Sequence, residues 1–541
     1  MPGQLSFSPE SSSYRLKQGF KLSGKLDSLL QPQAYPHETQ QIRLLQTQMS
    51  FVFLTGDYAY KVKKPVNLGY LDYTTLRKRR FFCQQELELN RRLCPDVYLA
   101  VVPIAVDRDR LRVEGQGKPV EYAVKMIQLP QDRMMDVLLP QGKVTEKMVA
   151  GVAEKLAAFH RQARKGPDIA AFGDLTIVRQ NASENFSQTG KYIGLCLSRI
   201  TYERIKGYTA DFVAHNASLF DKRAKEGRIR DCHGDLHAAH VCFTKDICIY
   251  DCIEFNDRFR YSDVCSEIAF LAMDLDRYHQ NHLSKCFVDR YIERSVDAEI
   301  RMLLNFYKCY RAYVRGKVES FKLDDPLIPS QEKRAILATA RRYFDLACLY
   351  TSTNPFLIIT VGLMGTGKTT IANALGQRLG CTVISSDVTR KKLARIPATE
   401  HRFEEFHSGI YSEDFSRRTY DAVLAEAAEV LSRGESVILD ASFGRREERA
   451  RARRTAVDKG AELVVLECKL GEDEARMRLE QRRKEKTTSD GRWEIFQLQK
   501  ESFDPVVEFA THQRCTLDTS QSIDETIEVI WSRLWKWTAT I

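Results

Sequence analysis

Hydrophobic and polar positions along this chain follow two different periods. From Met49, short apolar blocks alternate with turn residues: "SFVFL", a turn at "TGD" (Thr55 to Asp57), then "YAYKVKK". Gly56 and Asp57 supply turn chemistry, so this spacing predicts a β-hairpin. A charged helix is predicted from about Thr75 to Leu93, followed by strands near "VYLAVVPI" and "EYAVKMIQL". Beyond Val144 the period becomes helical. In "KMVAGVAEKLAAFHRQA", Val149, Val152, Leu156 and Phe159 recur at three- and four-residue spacings and form one apolar face. Two short strands, "VCF" and "ICIY", bracket a polar turn at Thr244 to Asp246. Further helices are expected from about Asp263 to Ala347, interrupted by Pro326 and Pro329 in "KLDDPLIPS".

A new pattern starts near Asn354. The stretches "FLIITV", "TVISSD", "SVILDAS" and "ELVVLECKL" read as strands, with helices between them. Their continuous apolar character suits a parallel sheet covered on both faces. Residues 1–35, rich in Ser, Gln and Pro, are expected to form a loose leader.

Composition adds limits. At 541 residues the chain is long for one core, and 43% hydrophobic with 28% charged residues argues against wholesale disorder. No apolar run approaches the length of a membrane span, and no basic start precedes an apolar stretch, so a cytoplasmic protein without a membrane segment is expected. The 14 cysteines include no Cys-x-x-Cys pair, which favours buried reduced thiols over zinc sites or a disulfide framework. A net charge of +10 is modest for this length, and the basic run at Arg445 to Arg454 is interrupted by glutamates at helical spacing. Nucleic acid is therefore not the expected partner.

The most specific chemistry is "GLMGTGKTT", Gly362 to Thr370, which fits G-x-x-x-x-G-K-[ST]. An apolar strand precedes it, and an amphipathic helix carrying Ile371, Leu375 and Leu379 follows, stopping at Gly380. Gly362, Leu363, Met364, Gly365, Thr366, Gly367, Lys368, Thr369 and Thr370 are thus the expected ATP-binding loop. Its N–H groups face phosphate, Lys368 neutralises the β/γ-phosphates, and the Thr369 hydroxyl serves Mg²⁺. Asp440, ending "VILD", is a second candidate for Mg²⁺. Asp387, after the second strand, should project from the carboxyl edge where ligands collect. This pattern resembles the P-loop kinases of the polynucleotide-kinase and zeta-toxin type. The resemblance implies Asp387 as the base for an acceptor hydroxyl, Arg390 as a substrate contact, and Arg478, Arg482 and Arg483 as lid residues.

"CHGDLHAAHVCF", Cys232 to Phe243, poses a second problem. His233, His237 and His240 could suggest zinc, but glycine and the following strand pair indicate a loop entering a hairpin. The order His233-Gly234-Asp235, a hairpin, then Asp251 fits a kinase catalytic loop with a metal aspartate. Together with "FNDRFRYSDVCSEIAFL" it resembles the aminoglycoside-phosphotransferase type of kinase-like fold. That resemblance implies Asp235 as base, Asp251 on Mg²⁺, and Asp263 as a buried brace of the loop. It further implies Lys61 gripping ATP phosphates with Glu86 as its ion-pair partner. Lys63 shares the strand face of Lys61 and remains an alternative, as Glu88 does for Glu86. Two features depart from the pattern: His240 stands where the metal-binding Asn is expected, and no Gly-rich motif covers the phosphates.

The whole chain resembles the bacterial bifunctional proteins that join an aminoglycoside-phosphotransferase-like domain to a P-loop ATP-binding kinase domain. The implied fold is an α+β bilobal kinase-like domain over 36–320, a linker and helix over 321–353, and an α/β P-loop domain with a parallel sheet over 354–541. The implied activity is ATP- and Mg²⁺-dependent phosphoryl transfer to a hydroxyl-bearing small molecule. Three alternatives remain: a kinase-like regulatory module beside one working P-loop site, a P-loop ATPase or nucleotide switch, and a polynucleotide 5′-hydroxyl kinase.

Overall fold

The computed structural model describes residues 26–107, 110–326, 328–352, 354–397, 408–482, 493–510 and 513–537. Two compact units emerge. One runs through Asn185 and resumes over Thr209–Ala312; the other comprises Phe186–Tyr208 and the chain from Tyr313 onward.

The first unit opens with an antiparallel sheet of β1 (Arg43–Gln46), β2 (Ser50–Leu54), β3 (Tyr58–Lys63), β4 (Tyr98–Asp107), β5 (Arg110–Val113) and β6 (Pro119–Ile127), in the order β1-β2-β3-β6-β4-β5. The predicted hairpin is β2–β3, with Gly56 at φ 100° in its turn, where an L side chain would be strained. Alternation buries Phe53, Tyr60, Val62, Ile104 and Ala123 on one face. Leu29, Ala34 and Tyr35 pack into the same cluster, and the Tyr35 hydroxyl donates to the Leu29 carbonyl at 2.7 Å. The loose-leader expectation is therefore corrected from Leu26 onward, because these apolar side chains cap the sheet; residues 1–25 lie outside the described residues.

The helix Leu76–Arg91 begins at Thr75, whose side chain accepts from the Lys78 N–H, and it carries Glu86 and Asn90 on its buried face. The helix Glu146–Gln162 buries Val149, Val152, Leu156 and Phe159, the stripe its periodicity marks. Short β7 (Ile229–Asp231) leads to the His233 loop, which enters the hairpin β8 (Val241–Phe243) and β9 (Ile247–Ile249). β10 (Tyr261–Asp263) pairs with β7 and feeds the deeply buried helix Val264–Arg277. Cys94, just beyond the Glu86 helix, is disulfide-bonded to Cys248 in β9, and the other cysteines are free. The expectation of reduced thiols throughout is corrected at this pair. Folding brings two residues 154 apart in sequence to a Cα separation of 4.9 Å, which no local spacing reveals.

In the second unit, β11 (Phe356–Val361), β12 (Thr382–Ser385), β13 (Val437–Asp440), β14 (Glu462–Lys469) and β15 (Arg514–Asp518) form a parallel sheet in the order β12-β13-β11-β14-β15. Every residue of β11 is buried, as its unbroken apolar run requires. The stretch 321–353 contains the helix Ser330–Leu349, which belongs to this unit. Its Asp345 accepts from Arg378 of the helix Lys368–Leu379 at 2.6 Å. Among the described residues, no helix is long and apolar enough to cross a membrane.

Candidate functional site

Among the described residues, each unit carries a candidate site. In the first, β3 places Lys61 and Lys63 on the same face, and Glu86 reaches both. Lys61 Nζ lies 2.8 Å from Glu86 Oε1 and 2.6 Å from Asp251 Oδ1. Lys63 Nζ lies 2.7 Å from Glu86 Oε2 and also pairs with Glu254, which accepts from the Tyr73 hydroxyl. Lys63 and Glu86 are almost fully buried, at 1% and 0% side-chain exposure. Burial alone would lower both lysine pKa values, but the surrounding carboxylates outweigh it and hold both ammonium groups well above the ordinary range. Glu88 instead accepts from Gln84 and Gln85 on the exposed side of its helix.

The His233 loop is fixed from behind. His233 Nε2 donates to the Tyr250 carbonyl at 2.9 Å, and its Nδ1 accepts the Asp235 N–H at 3.3 Å. Burial draws this imidazole down to about 4, so it is a neutral knot in the loop. Gly234 sits at φ 90°, where an added Cβ would meet the Phe259 carbonyl at 3.0 Å. Glu267 Oε1 accepts the N–H groups of His233 and Gly234 at 2.8 and 2.7 Å, and Asp274 accepts that of Ala238. The brace expected at Asp263 is corrected here. Asp263 is taken up by Arg223 and by capping the following helix, so Glu267 and Asp274 hold the loop.

Asp235 and Asp251 face the same space, with side chains 33% and 39% exposed. Asp251 has a left-handed φ of 65°, an unusual conformation for a non-glycine residue. It is fixed by its N–H donating to the Tyr98 hydroxyl and by the neighbouring Cys252 N–H donating to Asn90 Oδ1. Desolvation would raise its pKa, but Lys61 and His240 overcome that and keep it below the carboxylate range. His240 Nδ1 lies 2.8 Å from the Asp235 main-chain oxygen and 3.6 Å from its Oδ2; its Nε2 lies 3.5 Å from Asp251 Oδ2. His237 Nε2 lies 3.6 Å from Asp235 Oδ2. The three histidines do not converge as a zinc set, because His233 spends its nitrogens on the Tyr250 carbonyl and the Asp235 N–H.

In the second unit the P-loop joins β11 to the helix Lys368–Leu379. Gly362 has φ 148°, and an added Cβ would approach the Cys468 carbonyl oxygen to 2.6 Å. Gly365 and Gly367 also have positive φ, at 79° and 83°. Leu363 O accepts from Lys368 Nζ at 2.7 Å and from Thr366 Oγ1 at 2.8 Å, while the Met364 N–H donates to Gln499. Thr369 and Thr370 are exposed at the helix start. Asp440, buried at the end of β13, and Asp387, in the first turn after β12, occupy successive positions along the same carboxyl edge. Arg390, expected as a substrate contact, has a buried side chain that donates to the Ile410 carbonyl and Ser416 and lies over the Tyr411 ring. Arg478 donates to the Thr519 carbonyl at 2.8 Å, beside Gly367. Arg482 ends the helix Glu472–Arg482, and Arg483 lies outside the described residues.

A glycine loop between a buried parallel strand and a helix defines a P-loop nucleotide-binding domain, and the family pattern described as AAA domain matches residues 357–506. Along most of its length the chain is 32% identical over 429 residues to an uncharacterized protein of Mycobacterium tuberculosis (strain ATCC 25618 / H37Rv), covering 79% of this chain and 83% of the relative. An uncharacterized protein of Mycobacterium bovis matches equally. The chain belongs to the family of these mycobacterial proteins. Among solved structures, a gluconokinase from Sinorhizobium meliloti 1021 is 20% identical, covers 34% of this chain and 93% of its own, and has a TM-score of 0.24. A choline/ethanolamine kinase family protein from Mesorhizobium loti is 13% identical, covers 58% of this chain and 92% of its own, and has a TM-score of 0.35.

Proposed function

We propose that this chain is an ATP-dependent phosphotransferase acting on a hydroxyl-bearing small molecule, with an aminoglycoside-phosphotransferase-like site in its first unit and a P-loop site in its second. The observation that carries the reading is Lys61 bridging Glu86 and Asp251, with Asp235 on the adjoining loop. Such an ammonium can hold ATP phosphates while its carboxylate partners fix its position. The acceptor oxygen forms its bond to the γ-phosphorus as the bond to the β,γ-bridging oxygen breaks. ADP leaves, and the acceptor's proton passes to the Asp235 carboxylate. A divalent cation held by Asp251 and His240 would add charge neutralisation, although imidazole suits hard Mg²⁺ less well than an oxygen donor. In the second unit Lys368, Thr369 and Asp440 would hold Mg²⁺-ATP, with Asp387 as base and Arg478 over the loop.

A second reading has its own support. Arg390 is turned into the protein, which leaves the P-loop unit short of an expected acceptor contact and favours an ATPase or nucleotide switch there. Incubation with γ-labelled ATP, a divalent cation and a small-molecule extract, beside Asp235→Asn and Asp387→Asn, separates these readings. Label in a new compound, lost in one variant, supports a kinase and locates its base. Label only in free phosphate overturns the kinase reading.

A further inference from the structure

Where the proposed reading puts a metal in the first unit, the side chains that meet are an imidazole, His240, and a carboxylate, Asp251. The Asp235 main-chain oxygen can only accept, so at 2.8 Å the proton must sit on His240 Nδ1. In the tautomer of the uncharged ring that this bond selects, Nε2 is the bare nitrogen, and it lies 3.5 Å from Asp251 Oδ2. Two donor atoms on one cation with bonds of about 2.0–2.2 Å lie about 2.8–3.6 Å apart. The other Asp251 oxygen is held by Lys61, which leaves Oδ2 turned toward His240. An imidazole whose second nitrogen donates to a carbonyl is the usual preorganised metal ligand.

A competing arrangement is less suitable. Asp235, His237 and His240 also offer ligand atoms within 4.8 Å of one another. There, however, Asp235 Oδ2 faces His240 through Nδ1, the nitrogen whose proton is already bound to the Asp235 carbonyl. A cation at that point would break the bond that orients the ring, and would occupy the carboxylate proposed as base.

We infer that His240 Nε2 and Asp251 Oδ2 form a mixed nitrogen–oxygen site that selects a borderline divalent cation, Mn²⁺ or Co²⁺, over Mg²⁺. This rests on the proposed phosphotransferase reading for its purpose, but not for its measurement. Nitrogen donors favour first-row transition ions, whereas Mg²⁺ keeps oxygen ligands and waters.

The test uses the full chain without nucleotide, titrated with Mn²⁺, Co²⁺ or Mg²⁺ by calorimetry. Spectroscopy then asks whether bound Mn²⁺ couples to an imidazole nitrogen. The expected result is one Mn²⁺ or Co²⁺ held about ten- to a hundredfold more tightly than Mg²⁺, with nitrogen coupling present. His240→Asn should abolish the coupling and remove most of that preference, and its circular dichroism should match the parent. Equal affinity for Mg²⁺ in the parent, no nitrogen coupling, or unchanged Mn²⁺ affinity in His240→Asn would overturn the inference. Selective Mn²⁺ binding without any phosphoryl transfer would sink the kinase reading and leave this one standing. Mg²⁺-supported transfer without selectivity would do the reverse.

Discussion

Glu267 receives His160 Nε2 at 2.7 Å on one carboxylate oxygen and two main-chain N–H groups of the His233 loop on the other. His160 in turn meets the Tyr291 hydroxyl at 2.7 Å. A fully buried carboxylate thus joins a helix core to the loop that carries Asp235. Glu267→Ala should cost about 3–5 kcal/mol, since it strands buried donors. Urea unfolding of the variant checks this value.

The same residue gives a pH dependence. Burial would raise the Glu267 carboxyl, but its hydrogen bond from His160 and its other partners draw it from 4.5 to about 2. A folded value below the unfolded one stabilises the protein fully above about pH 4.5, and that contribution drains away as pH falls toward 2. Unfolding free energy measured across this window should slope downward with acid. The slope should shrink in Glu267→Gln, and an unchanged slope would refute the assignment.

Lys61 and Lys63 share Glu86 but should fail differently. Lys61→Met removes the cation beside Asp251 and should lower first-site turnover about a hundredfold, with a smaller fall in melting temperature than Lys63→Met because Glu86 keeps Lys63. Lys63→Met leaves Glu254 buried without its cation and Glu86 with Lys61 alone, and should cost about 3–5 kcal/mol. Paired melting curves and labelled-ATP assays distinguish the two, and identical behaviour would contradict the division of labour.

In the P-loop, Gly362→Ala places a Cβ against a main-chain oxygen that cannot rotate away. Nucleotide affinity at the second site should fall more than tenfold, on the order of 1.4 kcal/mol or greater. Fluorescent nucleotide titration measures this, with Lys368→Ala as the reference for a lost phosphate contact.

Arg390→Ala should act on stability rather than on acceptor use. Its guanidinium ties the helix Ser386–Leu393 to Ile410 and Ser416. A lowered melting temperature with an unchanged acceptor KM is expected; the opposite pattern would restore it to the acceptor site.

The elements most legible in the sequence were those with strong period or special backbone needs. The Val149 stripe and the P-loop glycines are examples, since each encodes its environment in a few consecutive residues. Period two placed Lys61 and Lys63 on one face, but only the fold shows Glu86 dividing its oxygens between them. Glu267 and Asp274 were missed, although a signal existed: acids at helical spacing within "VCSEIAFLAMDLD" mark buried charge that needs a partner. Thr519 gave no signal, because its role depends on a strand pairing far along the chain.

That pairing sets where the P-loop unit can be cut. The Thr519 hydroxyl, just past β15, donates to the carbonyls of Thr366 and Lys469, while Arg478 donates to the Thr519 carbonyl. A recombinant fragment ended at the family match, residue 506, would lose β15 and bare the edge of β14. It would also lose the clasp on the glycine loop, so expression trials should carry the chain through the helix Ile523–Trp537.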